Sequence, residues 1–257
     1  MLSLDSFIML KYLLKSVDFS ALGGGLGALL NPELIAAIPA AGVLELGGSL
    51  LQSGLPAGKP EFERRLTEIT LKAKEAGLSI EVGTPDPSRS SPARASGEAV
   101  LVLYFFQLLS STTWILDFRS SALLEGSSGP QSIRWKPAQI YHHLDPIWVT
   151  AVRSMYTGYY LGQMDLFDRA LEELGLACAR ESLLEHFGSG DQSSVRFELA
   201  RFQKTFLTIF KDLAHKKRSI RTEFIVLGLS LLALYENLET LGGSYNVRES
   251  FLRAHKR

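Results

Sequence analysis

Residues 195–213, with the sequence VRFELARFQKTFLTIFKDL, decide the fold class of this chain. Their large apolar side chains recur at intervals of three and four residues, which is the spacing of one face of an α-helix. Basic residues follow at positions 215–218, as is typical near the C-terminus of a helix, where the helix dipole is negative. We therefore predict a helix whose buried face consists of Val195, Leu199, Phe202, Phe206, Ile209, Phe210 and Leu213.

The same spacing predicts helices on both sides of this stretch. Asp145-Pro146 is a typical helix start, because the carboxylate can accept the first backbone N–H groups and the proline has no N–H to leave unpaired. A further helix is predicted over Thr222–Leu241. The buried stripe of the helix that begins at Asp145 is predicted to contain Val149, Val152, Tyr156, Tyr159 and Tyr160.

Two shorter helices are predicted between these. Asp165 can cap the first of them, and Gly175 can end it in the left-handed conformation. The second closes at Phe187-Gly188. The inward-facing residues of the first are Phe167, Leu171 and Leu174. The predicted fold class is therefore mainly α, a multi-helix bundle with at most a few short strands.

The chain divides at a segment rich in proline and serine, residues 85–97. Such a segment cannot bury enough apolar surface to order itself, so it predicts a mobile linker. The linker separates a small, mainly helical N-terminal region, residues 1–84, from a main helical domain, residues 98–257. In the N-terminal region we expect an amphipathic helix over residues 1–15, two short buried helices within residues 21–55, a helix from Pro60 to Lys74 and a strand over residues 79–83.

Residues 99–116 carry no charge and lie at the lower length limit for a membrane-spanning helix. Their polar second half favours instead a buried helix over residues 99–109 and a buried strand over residues 112–118. Basic groups at 215–221 and 253–257 are typical of solvated helix ends, with anionic lipid headgroups as the alternative partner. We expect a cytoplasmic protein, with peripheral contact to the inner face of a membrane as the alternative.

Composition excludes several classes of protein. The 27 basic and 27 acidic residues cancel, so no overall field attracts nucleic acid, and we expect no nucleic-acid partner. A single cysteine, Cys178, cannot build a disulfide framework or a cysteine zinc site. The glycines at 23–27 fit a dinucleotide-binding loop only roughly, since no strand precedes them, and a flexible turn is the preferred interpretation. No metal site is predicted and no cofactor is indicated.

The densest polar and aromatic cluster is Tyr141-His142-His143-Leu-Asp145, with Trp135 before it. Two adjacent histidines on a loop do not easily face one metal ion, and Asp145 already serves as a helix cap. A structural role is therefore the preferred interpretation. If the protein has a ligand pocket, we expect it at this loop.

Three segments together resemble a known family: ILDFR at residues 115–119, MYTGYYLGQMDLFDRALEELG at 155–175 and the helical pattern at 213–241. They are similar to the C-terminal helical half of the ABC1/UbiB atypical kinases, in which a magnesium-binding Asp-Phe-Gly motif precedes the helices. The resemblance implies that Asp117 is the counterpart of the metal-binding aspartate. Arg119 stands at the glycine position, and the family's His-x-Asp loop and Lys-x-Gly-Gln motif are missing. The resemblance therefore implies a relative without phosphoryl transfer.

We expect a non-enzymatic binding or accessory protein that acts beside membranes or isoprenoid-lipid enzymes. Its expected partner is another protein or a small apolar ligand. The alternative is an enzyme of unfamiliar type whose site forms around Asp117, Arg119 and the loop from His142 to Asp145. The candidate ligand-binding residues are Asp117, Arg119, Trp135, Tyr141, His142 and His143.

Overall fold

The computed structural model describes residues 48–49, 52–86, 92–124, 132–187, 194–215 and 221–256. The predicted N-terminal helix, the glycine-rich turn and most of residues 21–55 lie outside these ranges. So do residues 87–91 of the predicted linker and residues 216–220, which include the basic residues 216–218.

The described part of the chain is mainly α-helical, with short strands between the helices. The helices are α1 (Lys59–Glu75), α2 (Ala93–Ser110), α3 (Pro146–Tyr160), α4 (Met164–Leu174), α5 (Arg180–Phe187), α6 (Leu199–His215), α7 (Thr222–Leu241) and α8 (Val247–His255). The strands are β1 (Ile80–Val82), β2 (Thr113–Ile115), β3 (Ser121–Leu124), β4 (Ser132–Trp135), β5 (Tyr141–His143), β6 (Val195–Arg196) and β7 (Ser244–Tyr245).

Several helix ends lie where the sequence predicts them. Asp145 accepts a hydrogen bond from the backbone N–H of Ile147 and so caps α3. Gly175 is the C-cap of helix α4, and its φ of 72° lies in the left-handed region that glycine tolerates. Helix α7 has the predicted bounds, Thr222–Leu241. The predicted stripe of α3 is confirmed, since all of its residues are buried.

Two predicted helix starts are wrong. Helix α4 begins at Met164 with Gln163 at the N-cap, so Asp165 lies in the first turn, where its charge still favours the positive end of the dipole. Val195 does not belong to α6 but to strand β6, where it pairs with Tyr245 of β7. That partner is distant in sequence, so local apolar spacing could not show the pairing.

The predicted linker is wrong over its last residues. Helix α2 begins at Ala93, so residues 93–97 are helical. Ser96 and Gly97 are buried, and a side chain at Gly97 would overlap the ring of Tyr245. The composition of this segment predicts disorder, but the ring of Tyr245, from the other end of the chain, covers it and keeps it ordered. Composition alone does not show such a distant contact.

A small sheet connects the two predicted parts of the chain. Strand β1 pairs in parallel with β4, with Ile80 opposite Ile133, and β3 pairs with β4 in antiparallel fashion. Phe62 and Leu66 of α1 belong to the same hydrophobic core as helix α2. The described residues on both sides of the predicted boundary therefore share one core.

Helix α2 is the central helix of this core. Residues 99–108 are all buried, because α8, α7, α3 and β3 pack around them. The charge-free stretch is thus an internal helix, and the buried strand predicted after it is confirmed as the shorter β2. Among the described residues, only α7 is long and apolar enough to cross a membrane, and 67% of its most apolar window is buried inside the protein.

Candidate functional site

Asp117, the predicted counterpart of a metal-binding aspartate, is buried and fully engaged. It is 3% exposed, and its Oδ1 accepts hydrogen bonds from the backbone N–H of Arg119 at 3.1 Å and from the Arg119 Nε at 2.8 Å. Its Oδ2 accepts from the backbone N–H of Ala138 at 2.8 Å. This carboxylate therefore ties the end of β2 to the loop that precedes β5.

Trp135 and Asn237 complete a polar corner around Asp117. The Trp135 Nε1 donates to the Asp117 carbonyl at 2.8 Å, and its ring stacks on Phe118 with centroids 5.6 Å apart. Asn237 of α7 donates through Nδ2 to the carbonyls of Phe118 at 2.8 Å and of Ser121 at 3.0 Å. The structure thus brings Asp117, Trp135 and Arg119 together, in an arrangement whose contacts hold the fold.

His142 and His143 lie in strand β5, so their predicted loop position is wrong. Successive side chains of a strand point to opposite faces, and these two have different partners. The His142 Nδ1 lies 3.0 Å from the Ser49 Oγ, and the His143 Nδ1 lies 2.7 Å from the Thr113 Oγ1. In the described part of the chain, no group of three histidine, cysteine or acidic side chains could hold a metal ion.

Thr113, His143 and Glu61 form a row of hydroxyl, imidazole and carboxylate, which invites comparison with a hydrolase triad. The His143 Nε2 is 3.8 Å from the Glu61 Oε1, too far for a hydrogen bond, and Thr113 is only 2% exposed. Glu61 is instead held by Arg64 and Arg65, whose hydrogen bonds lower its pKa to about 2. Burial, together with the charge of Arg65, lowers the pKa of His143. The row lacks both the geometry and the access of a nucleophilic site.

Tyr141, the remaining predicted site residue, is buried against Phe62 of α1, with ring centroids 6.4 Å apart. A cleft lies in another part of the described structure, and none of the predicted site residues lines it. That cleft opens between α2, α3, α7, β6 and the start of α8. It is lined by Leu101, Tyr104, Phe105, Tyr156, Tyr160, Val195, Phe197, Leu231, Leu234, Tyr235 and Val247.

The walls of the cleft combine aromatic rings with phenol hydroxyls. Tyr104 of α2 and Tyr156 of α3 face each other, with their hydroxyl oxygens 3.2 Å apart. The ring of Phe105 meets the rings of Tyr156 and Tyr160 edge-on, at centroid distances of 5.9 and 5.7 Å. Six of the eleven lining residues are aromatic, and none of these described lining residues is charged.

The lining phenols are neutral at physiological pH. Burial raises the pKa of Tyr156 to about 12 and the pKa of Tyr104 and Tyr160 well above the usual value for tyrosine. Burial also raises the pKa of Tyr235. Removing water disfavours the phenolate, because its charge has no counter-charge in the lining. The described lining of the cleft therefore consists of neutral phenols and apolar surface and carries no charge.

The cleft is small and open at one end. Its cavity volume is about 40 Å³, and about 410 Å³ of empty space is present when the open solvent at its mouth is included. The interior therefore admits a small chemical group rather than a whole ligand, since pockets that enclose drug-sized ligands measure about 300–1,000 Å³. Val195, Tyr235 and Val247 are the partly exposed lining residues and mark the mouth.

The sequence shows only part of this cleft. Tyr156 and Tyr160 are four residues apart on one helix face, and both belong to the predicted buried stripe of α3, which the structure confirms. Tyr104 and Tyr235 lie inside long apolar runs and carry no local signal. Their approach to Tyr156 depends on how α2, α3 and α7 pack, which periodicity does not specify.

Comparison with family models, with curated proteins and with solved structures found no match to this chain.

Proposed function

We propose that the protein is a non-enzymatic helical-bundle binding protein that holds a small, mainly apolar ligand in the tyrosine-lined cleft. The observation that carries this proposal is the Tyr104–Tyr156 hydroxyl pair in a wall that is otherwise apolar and aromatic. Binding pockets for small molecules characteristically combine apolar walls with a few convergent polar groups. The small interior favours a ligand that inserts one end and leaves the rest at the mouth.

The chemistry of the lining supports a proposal of binding rather than catalysis. A nucleophile or general base must give up its proton near neutral pH, and burial opposes this in Tyr104, Tyr156 and Tyr160. The described lining contributes no carboxylate, imidazole, thiol or amine. The described lining consists instead of neutral phenols and apolar side chains, which are common components of binding pockets.

The expected setting is the cytoplasm, beside membranes or isoprenoid-lipid enzymes, where small apolar ligands occur. We retain kinship with the ABC1/UbiB proteins as a proposal; it implies an accessory role without phosphoryl transfer. The open mouth at Val195 and Val247 also suits transfer of a ligand to or from a protein partner.

The test is binding of 4-fluorotoluene, a probe without hydrogen-bonding groups, followed by ¹⁹F NMR line broadening. Val247→Phe places a larger side chain at the mouth, and Val82→Phe makes the same change on an exposed strand residue that is 58% exposed. We expect the wild type and Val82→Phe to broaden the signal equally and Val247→Phe to do so much less. Equal broadening by all three proteins, or none by the wild type, would contradict the proposal.

A further inference from the structure

We infer that the ligand of the cleft is an anionic amphiphile, whose apolar end enters the cleft and whose carboxylate pairs with Arg248 beside it. This inference rests on the proposed function and specifies the class of ligand. It follows from the small interior of the cleft, from the position of the Arg248 guanidinium and from the positive charge near the mouth.

The size of the cleft divides its ligand into two parts. The cavity volume of about 40 Å³ admits one small group, and the mouth opens to solvent. None of the described lining residues is charged, so an ion that entered would lose its hydration without gaining a partner. The inserted end is therefore apolar, and any charge of the ligand lies outside the lining.

Arg248 is held beside the cleft by a backbone carbonyl. It follows Val247 at the start of α8, and its Nε donates to the Tyr160 carbonyl at 3.1 Å. Val247 and Tyr160 both line the cleft. Tyr160 is the last residue of α3, where a helix carbonyl lacks an intrahelical partner. The bond therefore joins α3 to α8 and also fixes the direction of the guanidinium.

The outer part of this guanidinium can bind an anion. Arg248 is exposed, and its Nη groups form no hydrogen bond or ion pair with any residue that the structure describes. The planar fork of an arginine binds both oxygens of a carboxylate through parallel hydrogen bonds. Because the Nε bond already orients the side chain, less conformational entropy is lost on pairing with a ligand. A carboxylate matches this single fork in shape and in charge.

Arg201 adds positive charge near the mouth. It lies in the first turn of α6 beside Phe202, whose ring centroid is 4.7 Å from that of Tyr235. Burial raises the pKa of Tyr235, and the charge of Arg201 opposes this increase, whereas no described acidic side chain adds to it. The charge that acts at the mouth therefore favours an anionic head group over a cationic one.

The aromatic lining could instead suggest a cage for an ammonium ion, which binds to the faces of rings. Here Phe105 packs edge to face with its neighbours. Its interplanar angles with Tyr104, Tyr156 and Tyr160 are 67°, 68° and 75°. Because the rings pack on each other in this way, the lining favours an apolar end over an ammonium ion.

Three probes that differ only in the head group test the inference: 5-(4-fluorophenyl)pentanoate is an anion, 5-(4-fluorophenyl)pentan-1-ol is neutral and 5-(4-fluorophenyl)pentylammonium is a cation. Dissociation constants would be measured at pH 7 and low salt by ¹⁹F NMR titration of the full chain. We expect the pentanoate to bind about threefold to tenfold more tightly than the alcohol, the effect of one exposed but oriented charge pair. The ammonium should bind most weakly. Added salt should weaken binding of the pentanoate and leave that of the alcohol unchanged.

Arg248→Gln should remove the preference for the anion. We expect it to weaken binding of the pentanoate by about threefold to tenfold and to change binding of the alcohol by less than about twofold. Arg253→Gln makes the same change at an exposed arginine in the last turn of the same helix. This control should leave the binding of both probes unchanged. Val247→Phe, which narrows the mouth, should weaken binding of both.

The outcomes separate the inference from the proposed function. If the alcohol or the ammonium binds the wild type as tightly as the pentanoate, the inference is wrong, and this comparison needs no variant to fold. The inference is also wrong if Arg248→Gln weakens both probes equally, since Arg248 then has only a structural role, or if Val247→Phe leaves pentanoate binding unchanged. In each case binding of 4-fluorotoluene would still support the cleft as a ligand site. If neither 4-fluorotoluene nor the pentanoate binds the wild type, both the inference and the proposed function fail.

Discussion

Replacing Asn237 by leucine should destabilise the protein strongly, although leucine has nearly the same volume. Asn237 is 5% exposed, and the two hydrogens of its Nδ2 are shared among three acceptors: the Phe118 carbonyl at 2.8 Å, the Ser121 hydroxyl at 2.9 Å and the Ser121 carbonyl at 3.0 Å. Leucine has no donor. The substitution therefore removes the hydrogen bonds that fasten α7 to the corner around Asp117.

The magnitude follows from the acceptors left behind. A buried acceptor that loses its donor costs about 1–3 kcal/mol. The Phe118 carbonyl keeps the Ser121 hydroxyl, which donates to it at 2.5 Å, so its loss is partial. Counting the Ser121 carbonyl in full and the Phe118 carbonyl in part, we expect Asn237→Leu to lower the free energy of unfolding by about 2–4 kcal/mol.

Equilibrium unfolding in urea, followed by circular dichroism, measures this loss, and an unchanged m-value would show that the unfolded state is unaffected. Asn246→Ala is the control. Asn246 caps α8 by accepting from the Glu249 backbone N–H at 3.0 Å, and losing a cap costs about 1 kcal/mol. A loss for Asn237→Leu no larger than that of the control would refute the reasoning.

Four further predictions concern nucleotide binding, acid stability at two residues and helix packing. We expect no magnesium-dependent thermal shift with ATP, because the Asp117 carboxylate already accepts hydrogen bonds from protein groups. A nucleotide that did bind would stabilise the fold by about 2.7 kcal/mol at a hundredfold excess over its dissociation constant. A shift that Asp117→Asn abolishes would favour the kinase relatives. Burial and a nearby arginine charge lower the pKa of His143 below its usual 6.5. Because the unfolded chain then binds a proton at this histidine more readily than the folded chain, Tm should fall as the pH drops below 6.5. His143→Asn should make Tm less dependent on pH in this range. Hydrogen bonds from two arginines lower the pKa of Glu61 from 4.5 to about 2, so a further loss is expected as the pH falls from 4.5 towards 2, and Glu61→Gln should reduce it. Gly97→Ala would normally favour a helix, but here the methyl group meets the buried ring of Tyr245. Urea unfolding should therefore show a free energy of unfolding lower by about 1–3 kcal/mol. An increase in the free energy of unfolding would contradict this packing.

Local chemistry explains why several helices could be predicted from the sequence. The bounds of α7 follow from an unbroken apolar spacing that ends before a glycine, and the start of α3 follows from Asp145-Pro146. These features depend on residues within a few positions of one another. The strands depend on partners elsewhere in the chain: β6 pairs with β7, and β1 pairs with β4 across the predicted linker. The spacing of apolar residues along the chain therefore does not predict how these strands pair.

The candidate site shows the same limit more strongly. Asp117 and the two histidines were predicted as site residues because they are polar residues within apolar stretches of the sequence. In the structure the Asp117 carboxylate has three donors, and the two histidines contact different partners. The cleft is made by tyrosines such as Tyr104 and Tyr156, which are 52 residues apart and resemble ordinary core residues in sequence.

The most direct test of the central claim, that the cleft is the ligand site, is a set of intermolecular nuclear Overhauser effects between 4-fluorotoluene and methyl-labelled protein. We predict contacts from the probe to the methyl groups of Leu231 and Leu234, which line the cleft. Contacts confined to the exposed methyl groups of Leu71 and Val82, which are 57% and 58% exposed, would contradict the claim.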